Sequence, residues 1–408
     1  MLEKDILSYS STSHRYALRK AESDFRAFVA TVLHPVIIWM TGSFAAGVDM
    51  FKADLDFTLQ IPVLDFMQDK NRKMWYLKDV FARCELFEKV YLIRGKTPVI
   101  QMVHKSTGTG IDVTMDGEDA KRNTQLLSLY AQTDSRFSKL CKAVKGWASE
   151  AGIVGAKKHR LNSFSVCMML IQFLQGVGVL PNLQSLFPEM NGEFDVPNDQ
   201  YKRKHFKREL RKRGHKFNKN TGGLVELYLG FLEYYATFDF YTQWISIRHG
   251  TPQTKKFDAE GLPLNGLPRR NKYLVIADPF HLEDPRNCAV SVPSQKFVDR
   301  IQSGFRTSLE SIHQKGTLFT HYQSASRRLI EMEGKSGDLR IIVWRDESLK
   351  ARVAMYAQIP WGIPAGNEKE NIPWFPLEPR DFWDLDRKPA FEYENFEDWP
   401  DPPVTMFF

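Results

Sequence analysis

The feature that most constrains this chain is a short apolar run, residues 36–40, which is bounded by Pro35 and Gly42. A run of this length between chain-breaking residues is typical of a buried strand. Gly42 permits a sharp turn, and Ser43 can begin a short helix whose unpaired amide groups face an anion such as a phosphate. The sequence therefore predicts a strand that leads directly into a phosphate-binding turn.

A second predicted strand, from Asp54 to Ile61, carries two carboxylates. Since alternate residues of a strand point to one face, Asp54 and Asp56 project together. A later strand, predicted over residues 111–115, adds Asp112. Each motif alone is common, but their order along the chain is specific. Three carboxylates beside a phosphate-binding turn suit phosphoryl transfer assisted by divalent cations, which prefer oxygen ligands and stabilise both the attacking hydroxyl and the leaving pyrophosphate.

The spacing of apolar residues indicates the fold class. Helical spacing over residues 14–33 and 73–91, with strand patterns around them, predicts a small mixed sheet covered by helices within residues 31–116. From residue 120 the pattern is mainly helical, with Asn162 or Ser163 as the start of one helix. The expected class is α+β.

Four regions are predicted from these patterns. They are an N-terminal helical segment, residues 1–30, packing on a central domain; a catalytic domain, 31–116; the helical central domain, 117–333; and a C-terminal extension, 334–408. Residues 360–408 are rich in Trp, Pro and acidic residues. We interpret them as an extended arm that docks on the body or on a partner protein, because exposed indoles favour association.

Composition narrows the class of partner. The chain has 408 residues and a formal net charge of +7, which favours polyanionic partners. Four scattered cysteines without metal-ligand spacing predict a reduced intracellular protein without structural zinc. The longest apolar stretch, residues 166–180, is too short to span a bilayer, so no membrane association is expected. We expect a cytoplasmic location, with a nuclear or granule-associated one as the alternative.

The densest positive charge lies between residues 202 and 213, where cations alternate with Phe206 and Leu210. Such interleaving is expected of a surface that follows an RNA backbone, although it also resembles a nuclear import signal, and a solvated helix face is the simplest alternative. The candidate RNA-binding residues are Lys202, Arg203, Lys204, Lys207, Arg208, Arg211, Lys212 and Arg213.

Taken in order, these motifs resemble the DNA polymerase β-like nucleotidyltransferases and, within them, the non-canonical poly(A) polymerase and terminal uridylyltransferase family. The resemblance covers residues 41–292. It depends on Gly42-Ser43, Asp54-x-Asp56, Thr97–Ile100 followed by Gly110–Val113, Arg122–Leu127, Asp134-x-Arg136, Val144–Ala148, Leu161–Phe164, Leu227–Phe231 and Asp278–Phe280.

The resemblance implies a polymerase β-like catalytic domain joined to a helical domain, with a nucleoside triphosphate in the cleft between them. It also implies a role for each matching residue. Gly42 and Ser43 would hold the triphosphate, Asp54, Asp56 and Asp112 would bind Mg²⁺ or Mn²⁺, Asn123 and Thr124 would contact the ribose, Lys145 and Ser163 the phosphates, and Phe164 the base. For Asn123 and Thr124, a helix-capping role is the alternative.

Departures from the family pattern leave the base choice open. Ser149 stands where a second basic residue is common, so Lys142 or Lys157 would have to serve the phosphates. Phe164 replaces the usual tyrosine and keeps only the stacking face. Arg286 occupies the place where uridylyltransferases often have a histidine, whereas His281 lies too early in the loop. UTP, ATP or both remain candidate substrates.

The sequence therefore predicts a template-independent RNA 3′-end nucleotidyltransferase. Its acceptor would be the 3′ end of an RNA, and it would add UMP, AMP or both with release of pyrophosphate. One alternative is a weak or inactive transferase fold that acts as an RNA-binding or protein-interaction scaffold. Another is an enzyme of the same fold that makes oligonucleotides without a primer.

Overall fold

The structure is a computed structural model. It describes residues 12–50, 53–67, 69–95, 97–155, 159–188, 203–217, 220–260, 262–268, 273–281, 283–315, 329–333, 340–346 and 349–354. The chain divides into two compact units, Leu2–Gly304 and Phe305–Phe408. The described part of the second unit contains a three-stranded antiparallel sheet in the order β10-β9-β8, formed by β8 (Leu329–Glu333), β9 (Arg340–Asp346) and β10 (Leu349–Ala354). The arm predicted over residues 360–408 lies outside the described residues.

The first unit begins with a five-stranded mixed sheet. Its strands are β1 (Ile37–Thr41), β2 (Leu55–Gln60), β3 (Phe87–Ile93), β4 (Val99–His104) and β5 (Thr109–Met115), and the helices of this region are α1 (Thr12–Val32), α2 (Gly42–Ala45) and α3 (Lys70–Ala82). The strand order is β1-β2-β5-β4-β3; β2 and β5 are parallel, and the other neighbouring pairs are antiparallel. A single turn of 3₁₀ helix, Pro62–Leu64, follows β2.

Helix α1 packs on this sheet. Its apolar residues recur every three to four positions, and Leu18, Phe25 and Val29 are fully buried in the core that contains Leu55 and Phe57. The rings of Phe25 and Phe57 stack with their centroids 4.2 Å apart. The expectation that residues 1–30 pack on the central domain is therefore wrong for the described part of this segment, because the apolar stripe of α1 covers the apolar face of the five-stranded sheet.

A second correction concerns residues 73–91, for which the sequence predicted one continuous helix. Helix α3 ends at Ala82, and residues 87–93 form β3, the edge strand that pairs with β4. Met74, Leu77 and Phe81 are the buried side of α3, whereas Trp75 is exposed. Pairing with β4 outweighs the helical spacing of this stretch, because tertiary context overrides local propensity.

The remainder of the first unit is mainly helical. Its helices are α4 (Glu118–Thr133), α5 (Ser135–Glu150), α6 (Ser163–Gly176), α7 (Leu183–Leu186), α8 (Arg203–Lys212), α9 (Leu224–Thr237) and α10 (Gln295–Lys315), the last of which crosses the boundary at Gly304. Asp134 separates α4 from α5 and caps α5 by accepting a hydrogen bond from the Arg136 amide at 2.8 Å. Asn162 caps α6 in the same way through the Ser165 amide at 2.7 Å. A small hairpin, β6 (Gln243–Trp244) and β7 (Gln253–Thr254), follows α9.

Most of the apolar stretch at residues 166–180 lies in helix α6. Its apolar character follows from burial, since residues 165–174 are all buried. Within the described residues, no helix combines the length and apolar character needed to cross a bilayer.

Candidate active site

Strand pairing brings the three predicted carboxylates together. Asp56 of β2 and Asp112 of β5 are directly paired across the parallel ladder, and Asp54 lies immediately before β2. Paired residues of neighbouring strands point to the same face. The opposite face is filled by buried apolar residues such as Phe57 and Val113, so the acidic side chains occupy the open face of the sheet.

Two glycines leave the space that these carboxylates fill. A Cβ atom on Gly42 would lie 2.0 Å from Asp56 Oδ2, and a Cβ atom on Gly110 would lie 2.1 Å from Asp54 Oδ1. Gly42 also has a φ of +76°, a conformation that other residues rarely adopt. Gly110 belongs to a motif that the sequence singled out, yet its role became visible only when β5 was placed beside Asp54.

Gln101 is a site residue that sequence reasoning missed. It lies on β4 directly opposite Asp112, and its Nε2 atom donates hydrogen bonds to Asp112 Oδ1 at 3.1 Å and Oδ2 at 3.0 Å. The amide thus holds the carboxylate in one orientation without bringing a charge. Alternating residues on β4 gave no signal for this contact, because it depends on strand register.

The proximity of the acidic groups changes their proton affinity. Burial, followed by repulsion from Asp112 and Asp54, raises the pKa of Asp56 to about 7, and Lys145 partly opposes this rise. Desolvation raises the pKa of Asp54. It also raises the pKa of Asp112, where the Gln101 hydrogen bond acts in the opposite direction. A cation beside these groups would remove the repulsion and favour their ionised forms.

The donor set fits a hard divalent cation that keeps other ligands. Among the described residues, no group of three or more His, Cys, Asp or Glu side chains is placed so that it could hold a metal ion without other ligands. Mg²⁺ is usually held by one or two carboxylates together with waters and substrate phosphates. Asp54, Asp56 and Asp112 offer carboxylate oxygens of this kind beside the Gly42–Ser43 turn.

The turn after β1 is fixed by the first turns of α4. The Gly42 amide donates to Thr124 Oγ1 at 2.8 Å, and the Thr124 hydroxyl donates to the Ala120 carbonyl at 2.7 Å. This gives Thr124 a role in positioning the turn, which the sequence did not reveal; its ribose contact stays a prediction. Its neighbour Asn123 has a buried Oδ1 atom for which the described part of the chain supplies no hydrogen-bond partner. A ligand hydroxyl is a suitable donor for that oxygen.

Helix α5 holds the segment that follows the turn. Lys145 Nζ donates to the Val48 carbonyl at 3.0 Å, and Ser138 Oγ donates to the Gly47 carbonyl. Lys142 and Asp49 form an ion pair at 3.3 Å in which both side chains are buried. Lys142, considered above as a substitute phosphate ligand, is therefore engaged with Asp49. The other candidate, Lys157, lies outside the described residues.

Ser163 and Phe164 form the first turn of α6, where Ser163 is exposed and Phe164 is partly buried. Asn162 Nδ2 and Ser165 Oγ both donate to the Cys288 carbonyl, at 3.1 and 2.9 Å. The start of α6 is thus tied to the loop that contains Arg286.

This loop folds so that His281 and Arg286 meet, although five positions separate them. Arg286 Nη1 lies 3.0 Å from His281 Nε2. Both contact Asp119 at the start of α4, at 3.2 Å from Arg286 and 3.1 Å from His281. Asp119 precedes Asn123 by four residues and therefore lies on the same side of the helix. His281, which lies too early in the sequence to correspond to the histidine of uridylyltransferases, is in the same cluster as Arg286.

The basic run forms helix α8, which packs on α4 through its buried residues Phe206 and Leu210. Arg208, Arg211 and Lys212 are exposed. Lys207 and Arg211 lie over the Phe217 ring at 5.5 and 5.1 Å, and Arg213 lies over Phe187 at 4.1 Å. Lys202 and the side chains of Arg203 and Lys204 are outside the described part of the chain. RNA contact by this helix stays a prediction.

Solved structures share this fold. The chain matches the structure of a GLD-2/RNP-8 complex with a TM-score of 0.58 and 23% identity, over 78% of this chain and 96% of that one. It matches mtPAP in complex with UTP with a TM-score of 0.59 and 19% identity, over 77% and 68%. For a cytoplasmic RNA terminal U-transferase the TM-score is 0.55 at 20% identity, over 76% and 94%. The chain therefore has the polymerase β-like nucleotidyltransferase fold, with the three carboxylates on the open face of its sheet.

Sequence comparisons then give the family. The central palm domain of mitochondrial-like poly(A) RNA polymerases matches residues 4–132, and the Cid1 family poly(A) polymerase domain matches residues 223–284. Both domains are those of poly(A) polymerases, so the comparisons support the resemblance to the non-canonical poly(A) polymerase and terminal uridylyltransferase family. The palm match begins before α1, in agreement with the packing of α1 on the catalytic sheet.

Two relatives illustrate the extent of the similarity. Mouse poly(A) RNA polymerase GLD2 is 32% identical over 234 residues, which are 57% of this chain and 45% of the relative. The Drosophila melanogaster poly(A) RNA polymerase gld-2 homolog A is 28% identical over 354 residues, 84% of this chain and 25% of the relative. The chain thus spans about half the length, or less, of these relatives.

Proposed function

We propose that this protein is a template-independent nucleotidyltransferase that adds UMP, AMP or both to the 3′ end of RNA. The observation that carries the proposal is the pairing of Asp56 with Asp112, with Asp54 beside them and the Gly42–Ser43 turn next to the same strand ends. Relatives named poly(A) RNA polymerases and a neighbour described as an RNA terminal U-transferase support it.

In this reaction the RNA 3′ hydroxyl attacks the α-phosphate of a ribonucleoside triphosphate, and pyrophosphate leaves. The turn at Gly42 and Ser43 holds the triphosphate, Asn123 accepts a hydrogen bond from the ribose, and Asp112 lies on the side of the attacking hydroxyl and helps to take its proton. Mg²⁺ or Mn²⁺ held by Asp54, Asp56 and Asp112 would neutralise the developing charge on the phosphates. Lys145 adds a positive charge near Asp56.

Primer extension tests the proposal directly. Purified protein is incubated with a single-stranded RNA primer, Mg²⁺ or Mn²⁺, and each of the four triphosphates in turn, and the products are sequenced. We expect extension with UTP, ATP or both. A chain that binds RNA but extends no primer is the scaffold of the alternative hypothesis. Products formed without a primer would support the synthesis of oligonucleotides from nucleotides alone.

The Asp119–His281–Arg286 cluster favours a contact between Arg286 and the base. A guanidinium only donates hydrogen bonds, and the edge of uracil offers the O4 acceptor where adenine offers the N6 donor. We therefore expect Arg286→Ala to lower the ratio of kcat/KM for UTP to that for ATP by about tenfold. Arg286→Lys retains a donor and is expected to keep part of the preference, while Arg83→Ala removes an exposed arginine of the catalytic domain and serves as the control. An unchanged ratio in Arg286→Ala would contradict this assignment.

We also propose that exposed cations of α8 bind the RNA backbone. Replacing Arg208, Arg211 and Lys212 together by alanine is expected to raise the KM for RNA about tenfold at low salt and to reduce the slope of log affinity against log salt by about 2, since each phosphate contact on a single strand contributes about 0.7. Arg15, Arg72 and Arg83, three exposed arginines elsewhere, provide a control with the same loss of charge. Equal effects of the two triple variants would indicate general electrostatics instead of a binding surface.

A protein partner is proposed for residues 334–408. The support is their Trp- and Asp/Glu-rich composition and the solved GLD-2/RNP-8 complex, in which a relative is seen with another protein. Comparing the partners recovered with the full chain and with a chain ending at residue 333 tests this point.

We also propose a cytoplasmic location, which is supported by the structural neighbour described as a cytoplasmic RNA terminal U-transferase. Imaging of the tagged full chain would check this location.

A further inference from the structure

The open face of the catalytic sheet continues beyond the carboxylates. Strand register places five residues in one row across the sheet: Thr41, Asp56, Asp112, Gln101 and Tyr91. Paired residues of adjacent strands point to the same face. The two hydrogen bonds from Gln101 to Asp112 show this directly for the middle of the row. Tyr91 therefore lies on the same face as the catalytic carboxylates.

The two ends of this row would bind different substrates: the nucleoside triphosphate at one end and the RNA that accepts the nucleotide at the other. The Gly42–Ser43 turn follows Thr41 at one end, so the triphosphate is expected beside β1 and β2. In phosphoryl transfer the attacking and leaving oxygens lie roughly in line. The attacking hydroxyl must then approach from the other end, past Asp112, where β4 and the edge strand β3 present Gln101 and Tyr91.

The surface at this end suits a nucleobase. Tyr91 is 63% exposed, so its ring is accessible to a ligand. Ile93 and Val99 pair with one another two positions further along the same face, and both are half-buried. Aromatic and aliphatic side chains bind unstacked bases irrespective of their identity, as a template-independent enzyme requires.

The distance from Tyr91 to Asp112 also fits the size of a terminal nucleotide. Neighbouring strands are about 4.8 Å apart, so the backbones at Tyr91 and Asp112 are separated by about 10 Å. Side chains stand roughly perpendicular to a sheet, so the Tyr91 ring and the Asp112 carboxylate rise from the same face. A terminal nucleotide can bridge the interval between them with its 3′ hydroxyl beside Asp112 and its base on the ring.

We propose that Tyr91, Ile93 and Val99 form an acceptor platform on which the last bases of the RNA stack during tailing. The proposal rests on the proposed function, because it assigns the acceptor to one side of that site. Its occupant is the single-stranded 3′ end of RNA, whose arrival from the β3 side follows from the position of the triphosphate turn. The platform is separate from α8, which would bind RNA further from its end.

Two measurements test the platform. In primer extension, Tyr91→Ala is expected to raise the KM for RNA about tenfold and to leave the KM for the triphosphate unchanged, while Tyr91→Phe stays within about twofold of wild type. Tyr76→Ala is the matched control, because Tyr76 is an exposed tyrosine on α3. In the second measurement, RNA with 4-thiouridine at its 3′ end is irradiated with the wild-type chain without triphosphate, and we expect the crosslink on the peptide that contains Tyr91.

The outcomes distinguish the platform from the proposed function. If the wild type extends the primer but Tyr91→Ala has an unchanged KM for RNA and the crosslink maps to another peptide, the platform is wrong and the patch serves another partner, such as a protein. If the wild type extends no primer, the proposed function fails, and the position of the crosslink alone decides whether the platform binds RNA ends.

Discussion

Asp112→Ala will lower kcat/KM for primer extension by at least about 1000-fold, because the reaction loses a carboxylate that neutralises and orients the reacting groups, a contribution of several kcal/mol to the transition state. The same change will not destabilise the metal-free protein. Asp112 repels Asp56 and takes part in raising its pKa to about 7, so removing it relieves a repulsion within the folded state. Steady-state extension and thermal unfolding of both proteins measure these two effects.

The pH dependence of unfolding reports the raised pKa of Asp56, to which burial contributes most and the repulsion by Asp112 contributes next. Asp56 has a pKa of about 7 in the folded protein, against 3.8 as its ordinary value. Between these values the folded state binds the extra proton, so the stability of the metal-free protein decreases as pH rises from about 4 to about 7 and levels off above that range. We expect a smaller decrease in Asp112→Ala, because one source of the repulsion is gone.

Asp79→Ala, at an exposed carboxylate on α3, is the matched control for the loss of a negative charge and should retain activity. Extension by Asp112→Ala within about tenfold of wild type would show that the reaction does not depend on this carboxylate. It would also remove the main support for the proposed function.

Gly110→Ala is expected to reduce extension by about 100-fold, even though it adds one methyl group. That methyl would lie 2.1 Å from Asp54 Oδ1, and the carboxylate must move away to make room. A displacement of about 1 Å at a reacting group can cost this much in rate. The fold should be retained, because the colliding atom is the end of a movable side chain and Gly110 does not need a positive φ.

Gly95→Ala provides a close control, since its nearest neighbour would be the Thr97 carbonyl at 3.9 Å, an ordinary contact distance. Near-wild-type activity of Gly110→Ala at equal thermal stability would mean that the position of Asp54 does not matter for the reaction. Combining Gly110→Ala with Asp54→Ala refines the test: the two losses should not add, because the glycine acts through that carboxylate.

Local sequence patterns determined much of the candidate site. The apolar run before Gly42 and the alternation around Asp54 and Asp56 gave the first two strands, because a buried strand needs period-two burial and a turn needs a flexible residue. The later strand with Asp112 followed from the same alternation. The spacing of apolar residues gave the expected α+β class, and the family resemblance added the polymerase β-like catalytic domain, in agreement with the observed sheet and helices and with the comparisons.

Pairing between distant parts of the chain could not be predicted from the sequence. Leu86, Phe87 and Val90 fit a helical spacing, yet residues 87–93 form an edge strand because they form backbone hydrogen bonds with β4. The stripe on α1 was recognised, but not the surface that it covers. An apolar stripe shows that one side of a helix is buried, but it does not show which surface buries it.

The tertiary structure decided how the residues of the site meet. The sequence alone determined the turn at Gly42 and Ser43, the three acidic residues and the helical half that follows them, since each depends on local spacing. Only the register of β4 and β5 placed Gln101 against Asp112, and only the position of β3 added Tyr91 to the same row. Only the folded loop joined His281 to Arg286. These contacts depend on which strand pairs with which and where a loop returns, and those choices are made by the free energy of the whole packed chain.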